Sequence, residues 1–523
     1  MCVSKLNDAR NFYIGKKMTI RRPSKENLRD LSDRYFLDLT ESELEDYSTL
    51  VNGVIETYDV LDQYPDPSRE LVSAIRQVGP RPEPVDDPYN GIVRTCSVRS
   101  SESISGPLSG KKIGIKDTIS VAGIPMTCAS RLLYDYTPDI DATVVKRLIR
   151  AGGEITHILS TDDFGFAGVG HTSTYGPAKN PIDPEYHPGG SSSGSAIAVA
   201  TDIVDLALGG DQGGSIRIPA AWTGTVGLKP SHGLIPYTGI AGFDLTIDHV
   251  GPMTKTVSDC ALLLTVLAGK DETCCDPRQP DDFKPQNYYS ELESGVEGLK
   301  IGVVEEGFNH PDVSSAEVDD TVRSAANYFK KLGAKVENIS IPFHRRGPAI
   351  WTALAIEGAT DNLYRGGFIY QTKGLYNPRF MTHMLRAIQT NGSDFSPTTK
   401  LGLLVGHYMR EQYQGAFYAR AQNMSRELTS EYNHALENYD ILLMPTTPQK
   451  AHSIQPSVDN DRLTYVNNAL NMIHNTAPFD LSGHPSISVP CRNVSDLPIG
   501  LMLTGRWMDD ATVLRVANAY MNS

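Results

Sequence analysis

The chain has 523 residues, 40% hydrophobic and 21% charged, with a formal net charge of −14. That balance fits a globular enzyme with a sizeable core and counts against a nucleic-acid or anionic-membrane surface. Seven scattered cysteines show no zinc-ligand spacing, and Cys274 and Cys275 are adjacent, so reduced thiols and a cytoplasmic location are expected. The opening MCVSKLNDARNFY has no apolar signal core, and no apolar run approaches the ~18 residues of a membrane span.

In chain order, residues 1–85 read as a small α-helical domain and a possible dimerisation unit. Ser24 followed by Leu28, Leu31, Tyr35 and Phe36 predicts a first amphipathic helix. Thr40-Glu41-Ser42-Glu43 is a capping box ahead of Leu44, Leu50, Val51, Val54, Ile55 and Tyr58, spaced for one helical face. PRPEPVDDPYNG, residues 80–91, punctuates the chain as a linker. From Pro107 strand-like and helical text alternate: KKIGIKD, DATVVKRLIRAGG, EITHILS, the grammar of an α/β sheet. A more variable region follows over about 280–435, with a strand-like LKIGVVEE and an amphipathic helix over 315–332. YDILLMPTTP, HPSISVP and LPIGLMLTG return to strands, and DDATVLRVANAYM closes as a helix.

The stretch HPGGSSSGSAIAVA, residues 187–200, raises a chemical question. Gly190-Ser191-Ser192-Ser193-Gly194 matches G-x-S-x-G, but that nucleophile elbow needs a strand before it, and NPIDPEYHP carries three prolines. A phosphate loop lacks its G-K-[ST] or G-x-G-x-x-G. A plain glycine-serine turn capping the helix AIAVA also fits the stretch taken by itself. Two companions change the weighing: GPLSGKKIGIKDT upstream and GGDQGGSIRIPAAWTGTVGLKP downstream. A serine hydroxyl needs a base, a desolvated lysine can be one, and glycines let consecutive N–H groups converge on an oxyanion.

With these motifs, GGSSSGS(A), the serine of DQGGSIRIPA and GLKP, the chain resembles the amidase signature family. Lys116 lies 75 residues before Ser191, and Ser191 24 before Ser215, intervals similar to those of the fatty acid amide hydrolase branch. The resemblance spans roughly 105–523 and includes NTAPFDLSGHPSISVP. The N-terminal helical text is most similar to bacterial amidases that act on nitrile-derived amides. The implied fold is α/β: a central twisted mixed β-sheet covered by helices on both faces over 86–523, after the helical domain.

The resemblance implies a Ser–cisSer–Lys triad. Ser215 is the expected nucleophile, Ser191 the relay after a cis peptide bond, and Lys116 the base. The backbone N–H groups of Gln212, Gly213, Gly214 and Ser215 are the expected oxyanion hole. Ser192 and Ser193 are expected to hydrogen-bond within their loop, and Asp211 and Arg217 either pair behind the nucleophile or stand as separate solvated charges. The residues add a check: strand alternation puts Lys116 on one face with Gly114, opposite Ile113 and Ile115. Asp117 then points away from the amine, which a carboxylate would keep charged.

Phe166, Gly168 and His171 are nominated for the substrate pocket, because in the family the loop after ILSTDD helps line it. Trp351, Tyr370 and Tyr376 are either pocket or core aromatics. His171, His187, His232 and His249 lie near the motifs without a partner that makes any of them a base. No metal or cofactor is expected. The expected partners are a small amide or carbamate substrate and a second copy of the chain, with no nucleic acid or membrane. The expected reaction is hydrolysis of a carboxylic amide to carboxylate and ammonia or amine. Alternatives are a urethane or allophanate-type hydrolase on the same triad, one component of an amidotransferase that works on aminoacyl-tRNA, and a non-catalytic paralogue. The N-terminal extension and the lack of a basic face count against the amidotransferase, and the complete triad against the paralogue.

Overall fold

The computed structural model describes residues 20–64, 71–271, 276–280, 282–283, 286–364, 372–454, 461–492, 494 and 496–523. Cys274, Cys275 and Tyr370 lie outside them. The chain divides into two compact units, Met1–Glu70 and Leu71–Ser523.

The described part of the first unit holds two helices, Lys25–Arg34 and Glu41–Asp62. Both begin with a reciprocal cap. Thr40 accepts from the Glu43 N–H while the Glu43 carboxylate takes the Thr40 N–H, and Ser24 does the same with Asn27. The cap on Ser24 uses an asparagine and so escapes the usual S/T-x-x-E pattern. Residues 74–78, inside the stretch read as helical, form a strand instead. Five residues without apolar alternation carry no strand signal. Pairing with a neighbour decides the state, as does the Arg76 ion pair with buried Asp141 at 2.6 Å.

The second unit is built on a twelve-stranded mixed sheet. Its strands are β1 (Ala74–Val78), β2 (Ile92–Ser100), β3 (Lys112–Lys116), β4 (Glu154–Leu159), β5 (Leu206–Asp211), β6 (Val226–Lys229), β7 (His249–Thr254), β8 (Lys300–Val304), β9 (Lys335–Ile339), β10 (Ile441–Pro445), β11 (Ser486–Pro490) and β12 (Gly500–Thr504). They lie in the order β1-β2-β4-β3-β5-β7-β6-β11-β12-β10-β8-β9. β3 runs parallel to β4 and β5, and β8 to β9 and β10; the other neighbours are antiparallel.

Both faces of the sheet are buried. Along β5, Leu206 and Leu208 enter one apolar cluster with Val144, Val145, Leu148 and Ile149 of helix Thr143–Arg150. Ala207 enters another with Ala196, Ala198 and Val199 of helix Ser193–Ala200. Side chains alternate across a strand, so the two clusters are its two faces, each covered by a helix. A third cluster, with Phe164, Phe166, Phe243, Phe380 and Leu403, draws on the variable region. Parallel β3 and β5 carry Lys116 and Asp211 to their C-terminal ends, where open α/β sheets gather their chemistry.

Candidate active site

Lys116 ends β3 and is 1% exposed. Its Nζ donates to Ser191 Oγ at 2.7 Å and lies 3.3 Å from the Gly210 carbonyl. Burial pushes its pKa down to about 8 against the upward pull of the Asp162 and Asp211 carboxylates. Asp117 takes no part. Its oxygens accept the Thr127 and Ala129 N–H groups and the Thr127 hydroxyl, away from the amine.

Ser191 follows a cis peptide bond after Gly190 and is fully buried. Ser192 exchanges hydrogen bonds with Gly210, its hydroxyl 3.1 Å from the carbonyl and 3.2 Å from the N–H. Ser193 departs from its expected role: its buried Oγ has no partner. Turned into the first turn of helix Ser193–Ala200, it packs rather than tying the loop. The Ser192 N–H donates to the Ser215 carbonyl at 3.2 Å and so joins the two serine loops. Among the described residues no hydrogen bond links the hydroxyls of Ser191 and Ser215.

Ser215 lies just before helix Arg217–Thr223. The loop ahead of it is held from below by Asp211. One Asp211 oxygen accepts the Gly214 N–H at 2.6 Å and the other the Ile216 N–H at 3.0 Å. This corrects the expected oxyanion hole, because the Gly214 N–H is already spent on a carboxylate. The N–H groups of Gln212, Gly213 and Ser215 have no acceptor among the described residues. Gly214 has φ +134, and a Cβ there would stand 2.4 Å from Thr476 Oγ1, so only glycine fits.

Asp211 and Arg217 form a buried pair, Nη2 to Oδ1 3.0 Å, and Arg217 reaches on to Asp480 at 2.8 Å. Burial pushes the Asp211 pKa up, but the guanidinium and its hydrogen bonds outweigh that and hold it at about 2. Sequence reading missed Asp480, in the text PFDLSG, because nothing near it marks a partner 263 residues away.

Ser215, Gln212 and Gly213 form one wall of an apolar cavity closed by Phe166, Ile218, Phe243, Trp351, Leu401 and Ile473. Gly168 also lines it. His171 does not: it faces a wider, more polar opening beside Tyr465, whose ring centroid is 3.9 Å away. Trp351 is a cavity wall, whereas the Tyr376 hydroxyl bonds the backbone of Thr372 outside it. His187 packs on His171, and His232 and His249 pack on each other. Burial lowers the pKa of all four, leaving neutral rings, none of which is hydrogen-bonded to Ser215 among the described residues. Among the described residues no cluster of His, Cys, Asp and Glu is arranged to hold a metal, and no helix is long and apolar enough to cross a membrane.

A buried amine touching a buried hydroxyl, beside a second serine and three backbone N–H groups with no protein acceptor among the described residues, is an arrangement suited to acyl transfer. Comparison with known proteins agrees with that chemistry. The amidase family model matches residues 95–514. The chain is 40% identical over 506 residues to an enantioselective amidase of Rhodococcus rhodochrous, covering 95% of each protein. It is 37% identical over 434 residues to one component of the glutamyl-tRNA(Gln) amidotransferase of Roseiflexus castenholzii, covering 82% of this chain and 85% of that one. The crystal structure of the corresponding component from Thermotoga maritima superposes with a TM-score of 0.68 at 33% identity, covering 83% and 87% of the two chains. The chain belongs to the amidase family.

Proposed function

We propose that this protein hydrolyses carboxylic amides through an acyl-enzyme on Ser215. In acylation, neutral Lys116 takes the proton of Ser191, Ser191 takes that of Ser215, and Ser215 Oγ attacks the amide carbon. The oxyanion is received by the N–H groups of Gln212, Gly213 and Ser215. The tetrahedral adduct collapses as the proton returns through Ser191 to the departing nitrogen, which leaves as ammonia or amine. Water then repeats the sequence on the ester and releases the carboxylate and Ser215. The 2.7 Å contact between Lys116 Nζ and Ser191 Oγ, in a site that depresses the amine, carries this reading. The Ser191–Ser215 hydroxyl bond forms as substrate fills the cavity, since catalytic hydrogen bonds tighten in the Michaelis complex.

The apolar walls favour an alkyl or aryl acyl group over a charged one. The test is a panel of benzamide, propionamide, an anilide and a urethane on the purified chain. Turnover of the amides supports the reading, and turnover of the urethane alone replaces it with a carbamate hydrolase. The amidotransferase relatives motivate a second reading, which activity of the lone chain on simple amides excludes. A cytoplasmic homodimer using the N-terminal helices completes the proposal. Exposed Leu50, Val54 and Leu61 on helix Glu41–Asp62 support that interface, and light scattering with and without residues 1–70 tests it.

A further inference from the structure

The loop Gln212–Gly213–Gly214 has a physical difficulty. Its glycines are what allow N–H groups to face a substrate, and glycine is also the residue least able to hold a peptide plane still. The planes must be fixed from outside. Each plane has two handles, because a trans peptide points its C=O and the following N–H in opposite directions.

The plane between Gln212 and Gly213 is gripped at its carbonyl. Trp351 Nε1–H donates to Gln212 O, and the indole lies so close that a Cβ on Gly213 would come within 2.7 Å of its ring. The plane between Gly213 and Gly214 is gripped at both ends. The Thr476 hydroxyl donates to Gly213 O at 2.6 Å, and Asp211 takes the Gly214 N–H. A hydroxyl has one hydrogen, and Ile473 O is farther, at 3.3 Å, so the shorter contact receives it.

Thr476 is itself anchored. Its neighbour Asn475 donates to the carbonyls of Gly307 and Pro445 at 2.9 and 2.8 Å and accepts from His310 and His344 at 2.9 and 3.1 Å. His344 is tied in turn to the Tyr432 hydroxyl at 2.7 Å. Thr476 and Asn475 are fully buried.

We infer that Trp351 and Thr476 are positioning residues for the oxyanion-binding amides of Gln212, Gly213 and Ser215: Trp351 aims the Gly213 N–H by holding the carbonyl on the far side of its peptide plane, and Thr476, with Asp211, locks the adjoining Gly213–Gly214 plane so that the loop cannot turn. The inference rests on the reading of Ser215 as nucleophile. Trp351 also lines the cavity, so one side chain contacts the acyl group and sets the direction of the Gly213 N–H. Substrate shape is thereby coupled to transition-state stabilisation through a single indole.

The test uses steady-state kinetics on the full chain with benzamide. Trp351→Phe keeps an aromatic ring in the wall while removing the donor and part of the indole's bulk; Thr476→Val removes the hydroxyl at near-constant shape, and Thr476→Ser restores it. Losing a donor that acts only in the transition state costs about 10²–10³ in kcat, and losing the aim of one is expected to cost about 10–100-fold. The expected result is that loss in kcat for Trp351→Phe and Thr476→Val, with KM within twofold for Thr476→Val and an unshifted pH midpoint for both. Thr476→Ser stays within threefold of the parent. A kcat within threefold for Trp351→Phe overturns the role of Trp351, and the same for Thr476→Val overturns that of Thr476. A loss confined to KM makes either residue a pocket wall only. If Thr476→Val fails to fold, Trp351→Phe decides. Ser215→Ala is run alongside. If it is inactive while Trp351→Phe is unimpaired, only the positioning role falls. If it stays active, the nucleophile assignment falls and takes the positioning role with it.

Discussion

The pH dependence of turnover follows from the burial of one lysine. An ordinary lysine amine titrates near 10.5, and at position 116 burial brings this down to about 8. At pH 7 the neutral fraction of the first is about 0.03%, and of the second about 10%, so burial enlarges the reactive population roughly 300-fold. The sign is fixed by the role: the ammonium form is inactive, so activity is low below the folded pKa and rises through it. log kcat/KM for benzamide should climb with unit slope from pH 6 to about 8 and level off above, a gain of about 90-fold between pH 6 and 9. Lys116→Arg sharpens the test. It keeps a buried cation and a donor to Ser191 but does not lose a proton in the working range. It should lower kcat/KM by at least about 10³-fold, in the range expected when general-base catalysis is removed. Initial rates across pH 5.5–9.5 for both proteins are the assay. A flat profile for the parent enzyme, or Lys116→Arg retaining a tenth of its activity, refutes the assignment of Lys116 as base.

Four further outcomes are expected. Ser215→Ala should abolish both turnover and covalent labelling by a fluorophosphonate probe; labelling that persists would move the nucleophile elsewhere. Arg217→Met strands the fully buried Asp211 carboxylate that this guanidinium keeps ionised and should cost about 3–5 kcal/mol, read as a clear drop in Tm; an unchanged Tm would contradict the bracing role. Ala355→Leu adds bulk to the cavity wall and should lower kcat/KM for benzamide by about tenfold while sparing propionamide, on the scale set by a few methylenes. Equal losses on both substrates would show that Ala355 does not face the acyl group. Treatment with EDTA should leave the rate unchanged, and inhibition reversed by an added divalent metal would bring a metal into the reaction.

What the sequence made legible was local. The alternation Ile113-Gly114-Ile115-Lys116 is enough to turn the amine from the apolar face, and the structure buries both isoleucines in the core while Lys116 meets Ser191. Asp211 and Arg217 are six residues apart across a glycine turn, so their pairing is visible as a pattern. The side chains that grip the loop ahead of Ser215 are not visible in that way. Trp351 and Thr476 meet it from 139 and 263 residues away, and both bind backbone carbonyls, which present the same acceptor at every position. Nor does a run of glycines say which N–H faces the substrate; only the Asp211 contact removes Gly214 from the set. The short strand Ala74–Val78 failed for a related reason, since its state is decided by a neighbouring strand.

The central claim is covalent, and mass spectrometry tests it most directly. The enzyme is mixed with benzamide, quenched in acid within the first turnovers and digested. The account predicts a benzoyl group on Ser215 that disappears after substrate is exhausted and is absent from Ser215→Ala. A peptide containing Ser215 that stays unmodified while Ser191, Cys128 or another side chain carries the acyl group would contradict it.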